Sequence, residues 1–111
     1  MKLTDSGLQE RSSWEAKGYT LPSFDRAAMQ QETRKNPLWV HFGAGNIFRV
    51  FPAALQQLLL NEGLSKAGII VGEGFDYQII DKVYAKHDNL TLMVTLKSDG
   101  SIEKEVIASV A

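Results

Sequence analysis

Two glycines, Gly43 and Gly45, close the short apolar run in "PLWVHFGAGNIFRVFP", residues 37 to 52. Ala44 separates them, and Asn46, Ile47, Phe48 and Arg49 follow at once. A turn of this composition can hold a phosphate. The first glycine permits a sharp exit from a strand, and the second carries no side chain, so a diphosphate can approach the backbone. Amides at the start of the next helix then point at the anion. Phe48 stands where a third glycine usually allows tight helix-against-strand packing. Asn46 suits either a phosphate contact or a helix cap. Arg49 suits a phosphate, a substrate carboxylate or plain solvation. The alternative is a strand-to-helix turn that binds nothing.

A dinucleotide site needs a second feature, a carboxylate at the end of the next strand that accepts from ribose hydroxyls. Glu73 lies 25 positions after Phe48, and Asp76 three later. Either would favour a free ribose diol and repel a 2′-phosphate, so NAD is expected over NADP. Asp76 reads equally as a helix cap, and Glu73 as an exposed loop charge. His41, inside the apolar run, reads as a packed, hydrogen-bonded imidazole. His87 reads as the end of a helix, where it suits the dipole. Two separated histidines with no carboxylate cluster suggest no metal site, and no Ser-His-Asp arrangement is visible.

The elements that would position these residues alternate. "LWVHF" (38–42), between proline and glycine, reads as a strand buried on both faces. Phe51, Leu55, Leu58 and Leu59 form one stripe of a helix, which Gly63 stops. Pro52 fits the first position of a regular helix, with a looser turn over 46 to 51. "GIIVGEG" (68–74) reads as a second strand. Ile79, Ile80, Val83 and Tyr84 mark a second helical face, with Asp76 where an N-cap stands. "LTLMVTL" and "IEKEVIASV" read as a hairpin about Asp99-Gly100. Residues 1–36 read as an irregular arm, with Asp25 capping a short helix and Trp14, Tyr19 and Phe24 as anchors. The expected fold is α/β: an incomplete Rossmann-like parallel sheet with crossover helices plus a β-hairpin. The division is 1–36 as arm and 37–111 as part of an NAD-binding domain.

With 12 basic and 13 acidic residues the net charge is −1, which gives no electrostatic reason to expect nucleic acid or an anionic membrane as partner. Apolar residues make up 44%, an ordinary globular share. There is no cysteine, so disulfides and thiolate chemistry are excluded. The N-terminus lacks an apolar signal core, and a cytoplasmic location is the expectation.

"HFGAGNIFR" resembles the glycine turn of the long-chain mannitol dehydrogenase family, polyol-specific oxidoreductases in which an aromatic third position and a following arginine are usual. "LPSFDR", "GEGFD" and "HDNLTLMVTLKSDGSIEKEVIASV" are similar to neighbouring segments of that family, closest in its fructuronate reductase branch. The resemblance implies hydride transfer between NAD(H) and a sugar acid or polyol. D-mannonate and D-fructuronate come first, mannitol and fructose next. It assigns Gly43, Ala44, Gly45 and Asn46 to the diphosphate loop and Ile47, Phe48 and Arg49 to the turn after it. Asp76, with Glu73 as neighbour, falls near the acidic cofactor-selecting position. The family's enzymes are several times longer, and their catalytic lysine, asparagine and histidine lie in a second domain. The resemblance therefore implies an N-terminal piece with no catalytic residue of its own, inactive alone, weak toward NAD and prone to self-association. The rival reading is a non-catalytic nucleotide-binding or interaction module.

Overall fold

A computed structural model describes residues 1–111. After a short 3-10 turn come α1 (Arg11–Ala16), β1 (Tyr19–Thr20) and α2 (Arg26–Lys35). Then follow β2 (Val40–Phe42), α3 (Asn46–Val50), α4 (Pro52–Asn61) and β3 (Ile70–Gly72). Helix α5 (Tyr77–Ile79) runs on through a π-helical stretch, Ile80–Tyr84, and a 3-10 turn, Ala85–His87. The hairpin β4 (Thr91–Leu96) and β5 (Ile102–Ile107) completes the chain. No helix is long and apolar enough to cross a membrane.

Strands β2 and β3 pair in parallel, Val40 opposite Ile70 and Phe42 opposite Gly72. The residues after β5 extend this sheet: the Ile69 amide donates to the Ser109 carbonyl (2.9 Å) and the Ala111 amide to the Ile69 carbonyl (3.0 Å). Three parallel stretches thus lie side by side with β3 in the middle. This is the strand arrangement of one half of a dinucleotide-binding sheet. The hairpin sits between the second and third of them in sequence. In the second sheet β5 is central, antiparallel to β4 and parallel to β1.

Local signals acted as expected. Asp25 accepts from the Ala28 amide (3.0 Å) and starts α2. Phe51 breaks the helical run, with φ −116° and ψ −74°, and Pro52 opens α4 where its missing amide costs nothing. Gly63, at φ +72°, ends α4. Gly100, at φ +87°, turns the hairpin, and Asp99 accepts from the Ser101 amide and hydroxyl beside it. The arm is more regular than expected. Trp14 is buried beside Leu21, Leu90 and Val106, its ring edge-on to Tyr19 at 5.0 Å.

One packing expectation is corrected, and one apolar helix stripe lies away from the core such stripes usually face. Strand β2 is covered on one face only, and even there only half-buried. His41 turns inward and stacks on Phe48, whereas Leu38, Val40 and Phe42 are exposed, Phe42 at 83%. Strand side chains alternate, and no element of these residues covers that second face. The stripe Phe51, Leu55, Leu58 and Leu59 is likewise the exposed side of α4. The helix buries Ala53, Gln56, Gln57 and Leu60 instead. The reason is polar. The Gln57 side chain donates to the Val106 carbonyl (2.8 Å) and accepts from the Ala108 amide (2.6 Å). It serves as a ladder partner where the chain leaves one sheet for the other. Ser109 donates to the Ala53 carbonyl (2.6 Å) nearby.

Candidate functional site

The glycine turn leaves β2 and enters α3. Gly43 has φ +112°, which side-chain-bearing residues rarely adopt, and its amide donates to the Gly72 carbonyl (2.8 Å). Gly45 has φ −74° and ψ −178°, ordinary extended backbone. A Cβ added at Gly45 would meet nothing within 4 Å. The fold itself therefore makes no demand for glycine there. Gly74, next to Glu73, is in the same position: an added Cβ meets nothing.

The amides of Gly45, Asn46, Ile47 and Phe48 donate to no protein carbonyl, as first-turn amides must unless something else accepts from them. An open hollow is lined by Gly43, Gly45, Asn46, Ile47 and Pro52, with His41 and Phe48. Helix α3 has only five residues, so its macrodipole is small. Any anion here would be held mainly by the amides.

Ala44 is anchored at both ends. Its amide donates to Glu73 Oε2 (2.9 Å), its carbonyl accepts from the Tyr84 hydroxyl (3.0 Å), and its methyl is buried. Glu73 Oε1 accepts from the Asp76 amide (3.2 Å). These amides, Ala44 first, hold the Glu73 carboxyl below its ordinary value. Each oxygen keeps a second lone pair for another donor. Tyr84 is 3% exposed. Burial first, then the Glu73 charge, raises its phenol to about 12, with Arg49 opposing.

The expected residues do not all converge. Asn46 accepts a hydrogen bond from Arg49, and the Arg49 guanidinium lies 5.9 Å from the Tyr84 ring centroid. Arg49 Nε is buried and donates to no protein atom, so this arginine is not simply solvated. Ile47 is exposed. Phe48 is buried, its ring 4.2 Å from His41, and the two line the hollow together. Asp76 stands at the N-cap of α5, yet its side chain makes no cap hydrogen bond. Glu73, not Asp76, touches the turn. His41 stacks without a hydrogen-bond partner, contrary to the hydrogen-bonded imidazole expected. His87 ends its helix and meets the Leu3 carbonyl at 3.2 Å. Tyr84 escaped sequence reasoning, because it reads as one more member of an apolar helix face. No group of His, Cys, Asp and Glu is placed to hold a metal.

No family model matches the chain. A curated relative, the D-mannonate oxidoreductase of Thermotoga maritima, is 50% identical over 110 residues, 99% of this chain. The likeness to the mannitol dehydrogenase family holds. The chain spans 20% of that relative's length. Among solved structures, a D-sorbitol dehydrogenase in substrate-free form superposes with a TM-score of 0.67 at 21% identity. The match covers 84% of this chain and 18% of that one, and it establishes the α/β fold.

Proposed function

We propose that residues 37–111 form the NAD-binding start of a dehydrogenase acting on a sugar acid or polyol, with residues 1–36 as an arm braced against the hairpin. What carries the reading is Gly45, a glycine that neither backbone angle nor packing requires, set among four amides without acceptors. A diphosphate seated there would accept from the Gly45 and Asn46 amides, with Arg49 supplying positive charge at the side. Glu73, ionised and fixed against the turn, would accept from the ribose hydroxyls and disfavour a 2′-phosphate. The cofactor, when bound, supplies hydride transfer, and this chain's part is to seat and orient it. The 50% identity to a D-mannonate oxidoreductase supports D-mannonate and D-fructuronate as the substrate pair, with mannitol and fructose second. A cytoplasmic location belongs to the same reading.

Titration of NAD into the labelled chain, followed through backbone amide resonances, tests this. Saturable shifts at Gly43 to Asn46 and at Glu73, weak in affinity and weaker still with NADP, are expected. Shifts scattered over the surface, or none at saturating NAD, would end the proposal and favour an inert turn.

A further inference from the structure

Tyr84 is the buried polar group closest to the turn that the cofactor reading leaves unused. Its hydroxyl reaches across 40 residues of sequence to a single acceptor, the Ala44 carbonyl, at 3.0 Å. That carbonyl belongs to the same planar peptide unit as the Gly45 amide. In a trans peptide the C=O and N–H point in opposite directions. Holding the carbonyl toward Tyr84, in the core, therefore turns the Gly45 N–H outward, toward the hollow. Glu73 does the complementary job on the preceding peptide, taking the Ala44 N–H at 2.9 Å. The two peptide planes around Ala44 are thus fixed from opposite sides by side chains of β3's end and of α5's continuation.

The backbone around Tyr84 is itself unusual. Tyr84 ends the π-helical stretch Ile80–Tyr84. Such stretches carry wider i→i+5 turns and recur at functional sites. The last residue of this stretch is the one whose phenol hydroxyl rests on a main-chain carbonyl. The ring also carries weight, lying 5.9 Å from the Arg49 guanidinium.

We propose that Tyr84 is a positioning residue of the dinucleotide site, aiming the Gly45 amide at the diphosphate by fixing the Ala44 carbonyl. The proposal rests on the NAD reading above. A turn aimed in advance binds without having to order itself, which preserves affinity.

Tyr84→Phe removes only the hydroxyl and keeps the ring in the core and under Arg49. The assay compares NAD, which carries the diphosphate, with adenosine, which does not, on wild type and variant. The variant should fold, move the Gly45 amide resonance before any ligand is added, and bind NAD about three- to tenfold more weakly. Adenosine should bind both alike. Equal NAD affinity in both chains would overturn the proposal and leave the site reading standing. An equal loss for NAD and adenosine would mark a general structural role and overturn it too. Absence of NAD binding by the wild type would remove the site reading and the proposal together. Independently of the variant, the Tyr84 hydroxyl proton of the wild type should exchange slowly with water. Exchange as fast as that of exposed Tyr77 would show the contact absent in solution.

Discussion

Gly43 and Gly45 look alike in sequence, and the structure separates them. Gly43 has φ +112°, so Gly43→Ala forces a side chain into a region costing about 1–3 kcal/mol. For a domain of this size that is roughly 5–15 °C in melting temperature. Gly45 has φ −74°, and its added Cβ meets no atom within 4 Å. Gly45→Ala loses part of the N-cap preference for glycine but gains about 0.4–1 kcal/mol from a less flexible unfolded chain. Its net change in stability should lie within about 1 kcal/mol of zero. For the ligand the order reverses. A methyl at position 45 pushes the diphosphate off an amide. That forfeits a hydrogen bond to a charged group, about 1.5–3 kcal/mol, or roughly 10- to 100-fold in affinity. Thermal unfolding by circular dichroism and an NAD titration on both variants read the two quantities. A Gly45→Ala chain that melts like Gly43→Ala, or that binds NAD like wild type, would refute the reasoning.

Further consequences follow from the packing and the charges. Gly68→Ala places a Cβ 2.4 Å from both Met29 Sδ and the Ser109 carbonyl oxygen. Because one of these is backbone, a loss of about 1–3 kcal/mol in urea unfolding is expected, and an unchanged midpoint would contradict the packing. The Tyr84 phenol is raised from 10.0 to about 12 in the fold, so the folded state holds its proton longer than the unfolded chain does. Stability from this group is complete below pH 10 and lost as pH rises to about 12, amounting to roughly 1–2 kcal/mol once solvent screening is allowed for. Tyr84→Phe should flatten that alkaline slope, and an unchanged slope would show the phenol unperturbed. Leu38, just before β2, and Val40 and Phe42 on it lie exposed, and β2 pairs with β3 on one side only, so the chain alone should self-associate as concentration rises. Light scattering that stays monomeric across the range would count against it.

The parts of the fold legible in the sequence are those set within a few residues. Asp25, Pro52, Gly63 and Asp99-Gly100 act on their own neighbours, and each starts or stops an element where its chemistry requires. Periodicity located α4 but not the face it buries. Phe51, Leu55, Leu58 and Leu59 make the better apolar stripe, yet Gln57 decides the orientation through two backbone partners about fifty residues away. Strand β1 was invisible because two residues, Tyr19 and Thr20, pair with a strand more than eighty positions on. At the site, the glycine spacing was legible. The use of Glu73 was left open against Asp76, and only the placement of β3's end beside the turn distinguishes them. Tyr84 was hidden because a tyrosine in an apolar face signals core, and its one polar contact is set by tertiary structure.

The most direct measurement is a crystal structure of the chain soaked with NAD. The account predicts the diphosphate within hydrogen-bond distance of the Gly45 and Asn46 amides, with an adenosine ribose hydroxyl on the Glu73 carboxylate. A coenzyme bound elsewhere, or a turn left unoccupied while NAD saturates the crystal, would contradict it.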